Sequence, residues 1–310
     1  MSENILKNRL IKIYKHRKKW AKKNKIEAYR LYERDIPEFP LIFDIYANNV
    51  VIYDQSDSRD NQKELLQLAK EAALGLDFQE ENIVIKERKK RHGLEQHTKI
   101  DDSKNSFFIN EGPIRLEVNI HDYLDTGIFL DHRPMRQLFQ SMNLTNKKFL
   151  NLFSYTSSIG LSAAYSGAKT TNVDLSKTYL AWSKRNYEHN EIPLNDHHFV
   201  NADILEYLKN YEGSKYDYIF LDPPTFSNSK KMQETFSVEN HQVFLIEHCM
   251  NLLNEGGTLY FSNNKRGFKL DSEIEAKYAP SEISHKTIPE DFRNKKIHVC
   301  YEFKKGYHQS

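Results

Sequence analysis

The sequence predicts an α/β fold: a mostly parallel, doubly wound sheet closed by an antiparallel last strand, preceded by a small α+β domain. Three observations carry this expectation. From about residue 121 onward, β-rich runs alternate with helical runs, the rhythm of right-handed βαβ crossovers. Before that point, short β-rich runs flank tight turns, the signature of antiparallel hairpins. The last segments, "ISHKTI" and "IHVCYEF", have little helix between them, which predicts a closing antiparallel pair.

The elements follow in order. Leu6, Leu10, Ile13, Trp20 and Ile26 recur at roughly helical spacing through a basic segment, which predicts an amphipathic helix with a basic back. "LIFDIYANNVVIYD" holds two β-rich runs around Ala47-Asn48-Asn49, where asparagine tolerates the positive φ of a tight hairpin. "NQKELLQLAKEAALGL" places Leu65, Leu68, Ala69, Ala72 and Leu76 on one side of a helix that stops near Gly75. "NIVIKER" is a strand, and "SFFINEGPIRLEVNI" a second hairpin turning at Glu111-Gly112-Pro113, with the basic loop 86–99 between them. Residues 1–120 form the first domain in this reading and 121–310 the second. In the second, "KKFLNLF", "KTTNVDL", "HHFVNAD", "YDYIFLDPP" and "TLYFSNN" are successive strands, with helices at "SIGLSAAYSG", "SKTYLAWSKRNYEHN", "ILEYLKNY" and "ENHQVFLIEHCMNLLN".

Composition narrows the class. The 310 residues are 39% hydrophobic and include 18 Tyr and 18 Phe, enough for a substantial core and for stacking on bases. No apolar run approaches the roughly 18 residues of a membrane helix, and the N-terminus lacks the apolar stretch of a signal peptide. Cys249 and Cys300 show no metal spacing, so a reduced cytoplasmic enzyme without a metal is expected. Net charge is +2, yet residues 1–25 hold ten Lys/Arg against the single acid Glu3, leaving the rest of the chain at −7. A charge run is usually a solvated helix face; one this dense and nearly single-signed points to a polyanion partner.

In doubly wound sheets, ligands bind beyond the carboxyl ends of the strands at the switch in strand order. Here those ends carry polar residues: Asn151 to Thr156 after strand one, Asp174 after strand two, Asp203 after strand three and Asp222-Pro223-Pro224 after strand four. An acid closing strand two can accept from both hydroxyls of a ribose, and one after strand three from an adenine amino group. Any single acid also suits an ordinary strand end, but three in the register of one fold form a pattern. The first loop, "NLFSYTSSIG", has no glycine before Gly160, which argues against a pyrophosphate cofactor and so against a nicotinamide oxidoreductase. S-adenosylmethionine, a nucleoside with an amino-acid tail and no phosphate, fits better. Proline locks φ, so Pro223-Pro224 holds a rigid turn, and Phe226 offers a stacking face to a planar substrate.

"FLNLFSYTSSIG", "VDLS", "NAD", "FLDPPTFSNSK", "YFSNNKRGFKL" and "DYLDTGIFLDHRPMR" together resemble the RlmK-type 23S rRNA guanine-N7 methyltransferases, as do the basic N-terminal stretch and "KTIPEDFRNKKIHVC". The resemblance runs over about residues 8–303. It implies a Rossmann-like class I methyltransferase sheet, S-adenosylmethionine as cofactor and 23S rRNA or its precursor as partner. It also implies that Asn151, Phe153, Ser154, Tyr155 and Thr156 wrap the methionine portion, that Asp174 with Leu175 holds the ribose, and that Asp203 holds the adenine. Asp131 and Arg133 of "DHR" fall near the cofactor, Arg133 as partner of its carboxylate or else as a surface ion pair, and Asp222 to Phe226 face the target base. Many relatives fuse this unit to a THUMP domain and a guanine-N2 methyltransferase. This chain shows neither, so a stand-alone enzyme or a separated half with such a partner is expected. It also carries Ser157 where relatives often have glycine.

The reacting atom remains to be chosen. Cytosine C5 chemistry needs a cysteine nucleophile, and the end of strand five reads Ser262-Asn263-Asn264. An exocyclic amine must shed a proton, whereas guanine N7 presents a lone pair and needs only proximity and alignment. The Asp-Pro-Pro-aromatic motif fits amine or N7 chemistry, and the resemblance favours N7. A non-catalytic RNA-binding assembly factor is the alternative of a different class. On the N7 reading Asp222 clamps the base, with Lys230 and Lys231 at the pocket lip near phosphates.

Overall fold

The computed structural model describes residues 2–56, 61–87, 105–123, 125–228 and 235–306. Most of the basic loop 86–99, together with Lys230 and Lys231, lies outside the described residues. The chain divides into two compact units, one of residues 1–130 with 290–294 and one of 131–289 with 295–310.

The first unit begins with α1 (Ser2–Lys23) and continues through β1 (Ala28–Glu33), β2 (Leu41–Tyr46), β3 (Asn49–Asp54), α2 (Gln62–Leu74), β4 (Ile83–Glu87), β5 (Phe107–Glu111) and β6 (Ile114–Val118). Strands β1 to β4 form one sheet in chain order, with β4 parallel to β3, and β5–β6 is a separate hairpin. Leu6, Leu10 and Ala21 of α1 join Ala69, Ala72 and Ala73 of α2 in a core with Leu31, Phe43 and Ile52 of the sheet. Burying each leucine contributes about 1.5–3 kcal/mol. The β2–β3 turn differs in detail from its sequence reading, because the positive φ (54°) falls on Ala47 and not on an asparagine. Ala47 N–H donates to Glu27 C=O at 2.7 Å, a bond that holds the turn in this form.

The second unit carries α3 (Arg133–Ser141), β7 (Lys148–Leu152), α4 (Ser158–Tyr165), β8 (Lys169–Asp174), α5 (Lys177–Glu188), β9 (His198–Asn201), α6 (Ile204–Lys209) and β10 (Tyr216–Leu221). A small hairpin, β11 (Phe226–Ser227) and β12 (Phe236–Ser237), precedes α7 (Val238–Leu252) and β13 (Leu253–Asn263). The chain then forms α8 (Ser272–Tyr278), β14 (Ser281–Glu282), α9 (Ser284–Thr287) and β15 (Val299–Lys304). The seven-stranded sheet runs β14-β15-β13-β10-β7-β8-β9, parallel from β13 to β9, with β15 antiparallel to β13.

Alternation along the strands sorts the core onto two faces. Phe149, Phe220, Tyr260 and Cys300 pack under Met135 and Phe139 of α3 and Ile159 of α4. Leu152, Ile219, Leu221 and Phe261 pack under Leu245 and Ile246 of α7. The expected closing pair needs one correction. "IHVCYEF" supplies β15, but Ser284–Thr287 of "ISHKTI" winds into α9, and only Ser281–Glu282 pairs with β15. Ser284 Oγ accepts the Cys300 N–H at 3.0 Å, so a side chain fills the place of a strand carbonyl. Among the described residues no helix is long and apolar enough to cross a membrane.

Candidate cofactor and target-base site

The strand order turns back at β7, which lies between β8 on one side and β10 on the other. The register aligns Leu221, Leu152, Val173 and Val200 in one row across four strands. The next row is therefore Asp222, Phe153, Asp174 and Asn201, at the carboxyl ends where such sheets bind ligands. At about 5 Å per strand, Asp222 and Asp174 stand about 10 Å apart with the β7 loop between them.

That loop has an unusual backbone. Phe153 (φ 55°), Tyr155 (φ 49°) and Ser157 (φ 58°) all occupy the left-handed region, which costs a non-glycine residue roughly 1–2 kcal/mol. The surroundings hold it there. Tyr155 N–H donates to the Asp174 carboxylate at 2.8 Å, Ser183 Oγ to Tyr155 C=O at 3.1 Å, and Asn186 Nδ2 to Thr156 C=O at 3.0 Å. Ser157, buried, donates its hydroxyl to Ser183 Oγ at 2.7 Å, so α5 holds a side chain at this left-handed position. Ser154 Oγ is buried and has no hydrogen-bond partner. A buried, unmatched hydroxyl in a glycine-free loop beside a ribose-competent acid suits a nucleoside with a polar amino-acid tail.

The remaining residues fall in distinct places. Asp174 also accepts from Ser176 N–H at 2.8 Å, and Asn201 Nδ2 ties Asp174 and Leu175 carbonyls at 3.1 and 2.8 Å. Asp203 caps α6, accepting Leu205 N–H at 2.9 Å through one carboxylate oxygen. Arg133 is 2% exposed at the first turn of α3, so it is not a surface ion pair. Asn151 stands apart from the loop residues it was grouped with. Its Nδ2 donates to Asn172 Oδ1 at 3.0 Å in a buried network that continues to Tyr187 and Thr170 beneath α4, because its strand position points it into the sheet–helix packing.

At the end of β10, Pro223 is buried while Phe226 is 47% exposed. Thr225 Oγ1 donates to Asn264 Oδ1 at 2.9 Å, linking this turn to the end of β13. Ser262 Oγ and Asn263 Nδ2 at that end are buried without hydrogen-bond partners. Both cysteines are fully buried, and burial pushes both thiols up, away from the thiolate form.

Sequence reasoning missed a group of side chains behind Asp222. His132 Nε2 lies 3.0 Å from Asp222 Oδ2. His298 stacks on His132 at 4.9 Å and 11°, with its Nδ1 2.9 Å from Asp131 Oδ2 and its Nε2 2.9 Å from Thr287 Oγ1. Burial lowers the His132 pKa, but the neighbouring Asp222 and Asp131 outweigh it and raise the balance above the ordinary histidine value. Asp131, His132 and His298 offer ligand atoms within 4.8 Å of one another, and both ring nitrogens of His298 are engaged in hydrogen bonds, to Asp131 and Thr287. Asp131 lies 91 residues before Asp222 and His298 76 residues after it, so no local motif announces the cluster.

The chain belongs to the S-adenosylmethionine-dependent methyltransferase family, which it matches over residues 51–291. Within that family it is 43% identical to ribosomal RNA large subunit methyltransferase K of Neisseria meningitidis serogroup B, over 96% of this chain and 86% of that one. It is also 43% identical to ribosomal RNA large subunit methyltransferase K/L of Legionella pneumophila, over 97% of this chain but only 44% of that protein's length. Of solved structures, SMU.776 complexed with SAH matches with a TM-score of 0.78 at 25% identity, over 97% of this chain and 81% of that one. These relatives bear out the resemblance carried by the motifs, and S-adenosylmethionine is the cofactor.

Proposed function

We propose that this protein methylates N7 of a guanine in 23S rRNA. The observation that carries the reading is the end of β10. There the Asp222 carboxylate faces a neighbouring imidazole, Phe226 four residues on is exposed, and β13 ends in Ser262-Asn263 with Cys300 of β15 opposite Ser262, fully buried and its thiol pushed up by burial. Such a site can hold and stack a base but lacks the nucleophile of cytosine-5 chemistry. Guanine N7 needs no base to remove a proton, only alignment with the methyl donor. The relatives' names support rRNA as substrate.

When bound, S-adenosylmethionine supplies an electrophilic methyl on sulfur. In this reading Ser154, Tyr155 and Thr156 line its methionine portion with Phe153, Asp174 and Leu175 hold the ribose, Asp203 turns its second carboxylate oxygen to the adenine, and Arg133 meets the tail carboxylate. Asp222 accepts from the N1–H or amino group of the guanine, and Phe226 stacks on it, which is worth about 1–3 kcal/mol. That gain offsets part of the few kcal/mol needed to expose a base whose N7 lies in the narrow major groove of an RNA helix.

The first unit supports RNA binding. Lys12, Lys15, Lys19, Lys22 and Lys23 of α1 are exposed, and among the described residues no carboxylate pairs with any of them. Arg9 and Arg17 pair with Asp35 and Glu290 instead. The unpaired row offers phosphate contacts. We place the protein in the cytoplasm, with a THUMP-containing guanine-N2 methyltransferase as the partner its fused relatives suggest.

The test is methyl transfer from labelled cofactor to 23S rRNA, followed by mass-spectrometric mapping. A label at guanine N7 is expected. A label on an exocyclic amine would replace the N7 reading, and none on RNA would overturn the function. Asp222→Ala should abolish transfer while leaving cofactor affinity intact.

A further inference from the structure

We propose that His132 is a positioning residue for Asp222, holding one carboxylate oxygen through its Nε2–H so that the other is presented to the target base. This rests on the reading of Asp222 as a base clamp. The geometry is that of a braced support. Asp222 sits at the strand end with its side chain 22% exposed, and His132 lies behind it at 7%. The imidazole has little freedom. His298 stacks on one face at 4.9 Å, and Phe220 meets the ring edge-on at 5.6 Å and 89°. His298 is itself fixed by Asp131 and Thr287, each at 2.9 Å. Three separate segments (the turn before α3, α9, and the residue preceding β15) thus converge on one carboxylate.

A solvent-facing strand end needs no such backing. Burying a histidine beside two carboxylates is costly unless the charges are paired in good geometry. The groups facing His132 are Asp222 from β10, Asp131 from its own turn, Arg136 from α3 and His298 from before β15. The first two favour the imidazolium and outweigh burial and Arg136. His132 therefore stays charged above its ordinary range and loses its proton only as pH rises further. Losing that charge turns an ion-paired bond to Asp222 into one from a neutral donor, which holds the carboxylate less firmly.

The experiment compares His132→Gln, which keeps a neutral donor, and His132→Phe, which keeps the stack, with wild type and Asp222→Ala. Cofactor affinity is read by calorimetry and single-turnover methyl transfer to 23S rRNA is read across the alkaline range. Both His132 variants should bind cofactor normally and transfer about 10- to 100-fold more slowly, the loss expected of a misplaced reacting partner. The effect should fall on the transfer rate and not on RNA affinity. Wild type should slow as pH rises through the His132 titration, and His132→Gln should lack that limb. Wild-type rates and pH profiles in both variants, with Asp222→Ala inactive, would overturn the positioning role and leave the clamp standing. Full activity in Asp222→Ala would overturn the clamp and the inference with it. If the variants do not fold, nitrogen-15 histidine resonances decide. His132 should titrate at higher pH in wild type than in Asp222→Asn, and identical titrations would refute the pairing.

Discussion

Gly160 lies in α4, where helix propensity alone would favour alanine by about 1 kcal/mol. The structure reverses that expectation. A Cβ at position 160 would overlap Asn172 Oδ1 and come within 3.0 Å of Tyr187 Oη. Asn172 is fully buried, accepts from Asn151 Nδ2 at 3.0 Å, and donates to Tyr187 Oη at 3.0 Å and Thr170 Oγ1 at 3.2 Å. Moving it aside leaves two or three buried polar groups unmatched, at about 1–3 kcal/mol each. After the propensity gain, Gly160→Ala should cost about 1–8 kcal/mol. In a unit of this size each kcal/mol lowers the melting temperature by about 2–4 °C, so a fall on the order of 10 °C is expected. Thermal unfolding of the single variants and of Gly160→Ala/Asn172→Ala completes a double-mutant cycle. The double variant should cost at least about 1 kcal/mol less than the sum, because shortening Asn172 removes the obstacle. A Gly160→Ala protein as stable as wild type, or strict additivity, would refute this account.

Replacing Lys12, Lys15, Lys19, Lys22 and Lys23 by glutamine should weaken RNA binding without altering cofactor affinity. If each lysine meets one phosphate, the slope of log K against log salt should flatten by about 0.7–0.9 per lysine; an unchanged slope in filter binding would remove α1 from the interface. Ser157→Gly relieves a left-handed serine but forfeits its bond to Ser183, so stability should shift by no more than about 1 kcal/mol, and chemical denaturation would show a larger loss if the hydroxyl matters more. Lys86 is buried, donates to Tyr123 C=O at 2.7 Å, and has its pKa lowered by burial to about 8. The unfolded chain holds that proton until about pH 10.5, so stability should rise with pH between the two values. Relative to wild type, Lys86→Met should lose about 3 kcal/mol of its advantage across that window. A constant difference in urea unfolding at the two ends would contradict the shift.

The second unit was largely legible because strand–helix alternation and strand-end acids are local signals. Asp174 and Asp222 each follow an apolar run in the sequence, and the sheet register sets them in one row. For Asn151 the sequence shows a residue near a strand end but not which way it turns. Two residues before the loop, its amide points into the packing under α4. "ISHKTI" reads as a strand by composition, yet the Ser284 hydroxyl replaces a carbonyl and lets the chain coil. The His132–His298 stack joins segments 166 residues apart, and nothing short of the fold brings them together.

The loop after β7 takes three left-handed residues without a single glycine, and its shape is written elsewhere, in the hydroxyl of Ser183 and the amide of Asn186 on α5. Its conformation is thus inherited from a helix some thirty residues downstream. A search for cofactor loops by glycine pattern would pass over this one. A substitution at Ser183 or Asn186 of that helix would reshape the loop with no change in the loop's own sequence.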